Sequence, residues 1–341
     1  MMKARLAAVV VLGACGGGHE TEEIASVPID PVAGEAVFVV NGGDNSISVI
    51  DAARDEVAGT IELLGIDYPH HIYASADRTS LLVAVPGSDL SGGHGGGGHA
   101  SGGGAVLVLD AETGALRAAR RLDKPNHNAT YSPDGSGIWT SQVASPGQVL
   151  ILDAATLATR TTTTVGDEPA EVTFSASGTY AFVANTASDN VTILDPETGA
   201  VVDTKSVGDA PVGAWPGVDG RMYVDNEAGK SVSVIDPATR AVVATLPLGF
   251  TPALAAIAPS GQLWVTDTEN GKMVFLDAAT GARLGDLVTA AGAHAFAFSR
   301  DGTKAYVTNQ KAASVTVIDV ATRSVTKTIA VGTKPNGIVV R

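Results

Sequence analysis

The sequence predicts an all-β fold built from seven repeated units of four short strands. Three observations predict it. Gly is abundant at 40 residues in 341, charged residues make up 17% and aromatics 5%. With Val, Thr, Ile and Ala dominating the remainder, this composition suits short strands joined by tight turns rather than long helices. An apolar segment ending in a Val-x-Val-Ile-Asp pattern recurs seven times, closing on Asp51, Asp110, Asp153, Asp195, Asp236, Asp277 and Asp319. Those aspartates are spaced 59, 43, 42, 41, 41 and 42 residues apart. A period near 42 marks a repeat architecture, and four strands fit that length.

The last unit is the clearest. Ala295–Ser299 reads as the first strand and Arg300-Asp301-Gly302 as a turn, with Gly free to take positive φ. Ala305–Asn309 is the second strand, Ser314–Asp319 the third and Ser324–Val331 the fourth. First and third strands are apolar on both faces in most units, as sheets stacked on sheets require. Thr161–Thr164 reads as filler in an outer strand, and Trp139, Trp215 and Trp264 as core or channel-lining residues. Each repeated Asp starts a turn such as Asp-Pro-Glu-Thr-Gly, where its carboxylate can bond backbone N–H groups two residues on, a structural role. The long first spacing comes from an insertion at residues 91–104, SGGHGGGGHASGGG.

The chain begins MMKARLAAVVVLGAC. Lys3 and Arg5 precede an apolar run, Leu6–Leu12, that is too short to span a bilayer. Leu12-Gly13-Ala14-Cys15 resembles a bacterial lipobox. That resemblance implies a signal peptide over 1–14, lipidation of Cys15, and attachment to a membrane through lipid alone. Residues 15–34 read as a flexible tether and 35–341 as the folded body. Gly rather than Asp at position 16 points to the outer membrane by resemblance to the bacterial sorting rule. The expectation is an exported lipoprotein, periplasmic or on the cell surface.

The formal net charge is −14, and loss of Lys3 and Arg5 with the leader leaves about −16. So acidic a body repels phosphate backbones, so nucleic acid is not an expected partner. Cys15 is the single cysteine, which leaves the folded body without disulfides, thiolate metal sites or a c-type haem attachment.

Tyr306-Val307-Thr308-Asn309 matches the name motif of the YVTN propeller family. Echoes occur at Phe38–Asn41, Phe182–Asn185, Tyr223–Asn226 and Trp264–Asp267, whereas Leu82–Val85 and Trp139–Gln142 depart from it. The chain resembles that family over roughly residues 35–341. The resemblance implies a seven-bladed β-propeller with four-stranded antiparallel blades, a fold that hosts lactonases, lyases, haem and copper enzymes and binding modules. Lys334–Val340 looks like the start of an eighth unit, while the first unit lacks a first strand before Glu35. The tail is therefore expected to supply the inner strand of the first blade and to remove exposed sheet edges.

Aligning Phe298-Ser299 with Tyr131-Ser132 and Ala74-Ser75 places His70, His127 and His294 at one position, the start of the innermost strand in three units, with His71 beside His70. In a propeller the insertion carrying His94 and His99 emerges on that same face. Asp67, Asp123, Asp167 and Glu168 lie on nearby crossings, and Asp209 on a further one. Six histidines around a channel mouth form a candidate metal site. Imidazole is the commonest side-chain ligand of Zn and Cu, and a set without thiolates favours Cu(II), Zn or Ni over Cu(I).

No Gly-x-Ser-x-Gly elbow, His-Glu-x-x-His or phosphate loop occurs. Three functions stay open. The favoured one is a monomeric binding module holding a metal ion (Cu or Zn) or a small ligand at the histidine-rich mouth, or docking a periplasmic or surface protein. The second is a metal or redox enzyme. The body is similar in fold and His placement to propellers of the nitrous-oxide-reductase type, but it lacks their cupredoxin domain with its Cys ligands. A haem-holding propeller of the cytochrome d1 type is less favoured. The third is a lactonase- or lyase-like enzyme.

Overall fold

The computed structural model describes residues 7–8, 22–91 and 103–341. Seven antiparallel sheets form a seven-bladed β-propeller. Six blades have four strands in sequential order. Blade 7, for example, runs Ala293–Phe298, Lys304–Asn309, Ser314–Asp319 and Ser324–Ala330 from axis to rim. The two middle strands are buried almost throughout because both their faces pack on neighbouring blades. Rim strands alternate between exposed and half-buried residues, as Thr159–Thr164 does. That Thr run is thus the outer strand of its blade, while Trp139 and Trp264 are core.

Local side chains close each blade. Asp195 accepts from the Glu197 and Thr198 N–H groups at 3.0 and 2.8 Å and from Thr198 Oγ1 at 2.9 Å, ahead of Gly199 at φ +72°. These bonds lower its pKa below the ordinary carboxyl value. The same Asp turn recurs in every blade. At the opposite end, the Thr303 N–H and the Ser299 hydroxyl hold Asp301 down at about 2. The final Asn of the Tyr-Val-Thr-Asn motif pins the second strand to the third. Asn309 Nδ2 donates to Ser314 Oγ at 3.2 Å and Thr316 Oγ1 at 3.0 Å, and Asn41, Asn185 and Asn226 repeat the pattern.

Closure is as the sequence predicts. Pro335–Val340 pairs with Ala36–Asn41, so the C-terminal strand is the innermost strand of blade 1. The seam to blade 7 is tied by Lys304 Nζ and the Tyr306 hydroxyl on Asp55, at 2.7 and 2.8 Å. The segment before residue 35 adds to this blade. Ala25–Val27 pairs with the rim strand Glu56–Leu64, and Ala7–Ala8 pairs with Ala25–Ser26. Ile24 is fully buried, and Ser26 bonds Gly114 and Leu116 of blade 2 at 2.9 and 2.8 Å. Residues 24–27, read as tether, are thus part of the folded body, because a buried Ile and a paired strand anchor them. Among the described residues no helix is long and apolar enough to cross a membrane. Cys15 lies outside the described residues.

Candidate metal centre

Strand register sets the levels around the channel. Ile72, Ala129 and Phe296 pair with Val83, Thr140 and Val307, equivalent middle positions of their second strands. His70, His127 and His294 each stand two residues earlier and therefore at one level of the axis. Val172 pairs with Val183 in the same way, which puts Glu171 of blade 4 at the level of His71 and Asn128.

Blades 2 and 3 are neighbours, and their imidazoles meet. Ligand nitrogens of His70, His71 and His127 all lie within 4.8 Å of one another. His70 Nε2 and His127 Nε2 are 3.2 Å apart. The three residues are 2%, 7% and 1% exposed. His294, half-buried, stands aside, its ring centroid 6.2 Å from that of His70. Blade 1 lies between and presents Asn336 at this level.

Glu171, fully buried, completes the cluster. Its Oε1 is 2.9 Å from His71 Nε2 and 3.2 Å from His127 Nδ1. Its Oε2 accepts from the Tyr73 hydroxyl at 3.0 Å. A carboxylate on the far nitrogen of an imidazole sets the tautomer and turns the near nitrogen toward a ligand. Asn128 places that carboxylate. Its amide donates to the Val172 carbonyl at 2.8 Å and accepts from the Val172 N–H at 3.0 Å, locking blade 4 to blade 3 beside Glu171. Burial and the neighbouring Glu171 charge hold the Tyr73 hydroxyl well above its ordinary value.

Gly337 allows the approach from the other side. Its N–H donates to the His70 carbonyl at 2.9 Å. A Cβ there would lie 2.7 Å from both that oxygen and His71 Cα. Only a residue without a side chain lets blades 1 and 2 come this close at the axis.

The remaining candidates separate. Glu168, at φ +50°, shares with His127 a cleft of about 10 Å³ whose rim includes Ser88 and Leu90, at the base of the insertion. Asp167 accepts from Ser145 Oγ at 2.8 Å, away from the imidazoles' own bonds. Asp67 and Asp123 are exposed, and Asp67 accepts from Asn45 Nδ2 at 3.3 Å. His94 and His99 lie outside the described residues.

Glu171, Tyr73 and Asn128 escape a search for histidine. The signal for Glu171 was present, since aligning Phe174-Ser175 with Phe298-Ser299 puts it one place after the His position. One further buried acid stands on the second strand of blade 5, where Asp225 pairs with Gly213, the blade 5 residue at the level of Glu171. Asp225 accepts from Trp215 Nε1 at 2.6 Å, while its second oxygen takes no hydrogen bond from the described residues. Burial raises its pKa well above the ordinary carboxyl value, against the lowering effect of that bond.

Residues 43–328 match the family described as outer membrane protein assembly factor BamB. No curated protein matches the chain by sequence. Solved propellers align over most of its length. Dihydro-heme d1 dehydrogenase NirN in complex with DHE shares 16% identity over 92% of this chain and 79% of that one, with a TM-score of 0.65. The periplasmic gluconolactonase PpgL of Pseudomonas aeruginosa shares 18% over 90% and 99%, TM-score 0.71. Kuenenia stuttgartiensis hydrazine synthase shares 18% over 79% and 88%, TM-score 0.62. At these identities the likeness is one of fold.

Proposed function

The chain belongs to the family of outer membrane protein assembly factor BamB, and from that premise we propose that it is an extracytoplasmic propeller that binds a transition-metal ion, Cu(II) or Zn, at the channel mouth. The observation that carries this is the convergence of His70, His71 and His127, buried and backed by one buried carboxylate. Imidazole nitrogens with a carboxylate suit Zn and Cu(II). The donor set fits the ion: three rings whose nitrogens already face one another, with Glu171 offsetting the charge that burial would otherwise penalise.

Each residue has a defined task. His70 and His127 offer the facing Nε2 atoms, and His71 the third nitrogen. Glu171 orients His127 through Nδ1 and carries a negative charge beside the cation. Tyr73 holds the second carboxylate oxygen, and Asn128 holds the backbone at the adjacent Val172. A metal ion held by these residues would supply a charge centre at the axis between blades 2 and 3, with Glu171 of blade 4 behind two of its ligands. The described space beside His127 is water-sized, which favours holding or handing on an ion over turnover of an organic substrate. Attachment through Cys15, from the lipobox-like Leu12–Cys15, belongs to the same reading and would keep the domain at a membrane surface.

Elemental analysis of purified protein tests it, beside His70→Ala, His127→Ala and His294→Ala variants. About one equivalent of Cu or Zn is expected, lost at least tenfold in affinity in the first two and largely kept in the third. No metal in any form after incubation with both ions overturns the reading. A metal- or haem-dependent enzyme, a reading that draws on the fold shared with NirN and PpgL, requires visible absorbance or turnover of a lactone panel.

A further inference from the structure

The channel has a second mouth, at the end where the first and second strands of each blade turn. There a cavity of about 400 Å³ opens between blades 2, 3, 4 and 5. Tyr73, Tyr131, Phe174 and Trp215 line it, with Thr173 and Ser175 between them. All four aromatic residues are only half-buried. Most of the other large aromatics are sealed in blade interfaces: Phe38 and Trp139 are 1% exposed, and Phe182, Tyr223 and Trp264 are at 0%, while Tyr68, Tyr180 and Phe298 keep some exposed surface away from this opening. Four rings gathered at one opening of a chain with 5% aromatics are a local concentration.

The polar edges of two of these rings are bound to acids behind them. Tyr73 donates its hydroxyl to Glu171 at 3.0 Å, and Trp215 its N–H to Asp225 at 2.6 Å. Neither polar edge is therefore left to recognise a ligand, and hydrogen bonding to an acid enriches each ring in electron density. Gly213 makes room for this, since a Cβ there would stand 2.4 Å from the Trp215 ring. Among the described residues no Lys or Arg lines the cavity. Arg117, whose charge reaches the Tyr131 hydroxyl, is engaged by Asp110 at 2.6 Å and Ser80 Oγ at 2.7 Å.

Electron-rich rings, one of them backed by Glu171, in a chain of net charge −14, attract a cation through the ring quadrupole. The walls are largely apolar, so the cation must carry its own apolar cover: a bare metal ion would lose its water for rings that cannot replace it. We propose that this cavity binds a small organic cation of the quaternary-ammonium or alkylammonium class. The site is separate from the imidazole cluster and touches it through Tyr73 alone, so its occupancy does not depend on metal.

The test is calorimetric titration of purified protein with choline and with its neutral isostere 3,3-dimethyl-1-butanol. Choline is expected to bind at a single site, at least about tenfold more tightly than the alcohol. Trp215→Leu and Tyr131→Leu should each weaken choline by about tenfold, while Trp215→Phe, which keeps a ring, should weaken it by less than about threefold. Metal content should be unchanged in all three, which separates failure here from failure of the metal reading. Equal binding of choline and the alcohol, no choline binding up to about 10 mM, or wild-type choline affinity in both Leu variants overturns the proposal.

Discussion

Asp225 shows how one residue can carry a pH response. Thr266 and Thr308 hold the equivalent place in blades 6 and 7, and their hydroxyls donate to the carbonyls of His294 and Asn336 on the next inner strand, at 2.6 and 3.0 Å. Asp225, paired with Val232 as Thr308 is with Val315, stands where that donor is needed. A carboxyl group can donate there only when protonated, and burial raises its folded value well above 3.8. The folded state then holds a proton that the unfolded chain releases more readily. The resulting stability is full below about pH 3.8 and is lost as pH rises through the raised value. Asp225→Asn removes this slope. Urea midpoints compared at about pH 4.5 and pH 8 should show the variant gaining on the wild type as pH rises; parallel behaviour would place the proton elsewhere.

At the scale of elements, the inner strands decide where the site can form. Pro335–Val340 carries Gly337 against His70 and His71 of blade 2. The φ of Gly337 is ordinary, so what it supplies is space rather than conformational freedom. Gly337→Ala must push one strand away from the other, at a cost of about 1–3 kcal/mol. It should weaken metal binding more than it weakens the fold, because the displaced backbone is that of two ligands. Metal titration alongside urea unfolding separates the two effects. An Ala variant with unchanged metal affinity would mean that blade 1 does not position the histidines. The second and third strands follow a different logic. Their Asn-to-hydroxyl ties are local, spanning five and seven residues, and recur wherever the motif does.

The whole molecule is a ring, and rings fail by opening. Blade 1 draws its inner strand from residues 335–340 and its rim strand's neighbour from residues 25–27. Both ends of the described body thus meet in one sheet, with the Lys304–Asp55–Tyr306 contacts across the seam to blade 7. A chain ending at Lys334 would expose a long, apolar, unpaired strand, Ala36–Asn41, a template for edge-to-edge pairing. It should lose its single cooperative unfolding transition and self-associate, seen by denaturation and light scattering. A monomeric, cooperatively folding truncation would show that the other six blades hold the ring without closure.

Much of this was legible in the chain itself. The period of about 42, the turn aspartates and the four-strand pattern rest on contacts within one repeat, so composition and spacing carry them. Closure by the tail was legible too, because a fragment of an eighth unit answers a missing piece of the first. The shared level of His70, His127 and His294 follows from repeat alignment alone. Which of them meet does not, since that depends on which blades are neighbours and how deeply each inner strand reaches the axis. Tertiary structure joined His71 to His70 and His127 and set His294 aside. It also brought Glu171 from 44 residues beyond His127 to within 3.2 Å of its ring. It packed residues 24–27 onto a rim that local polarity had suggested they would leave free. Sequence by itself determined the repeating unit, because a unit's bonds are short-range along the chain. Only the closed ring decided the site, because its members come from different blades and touch at the axis.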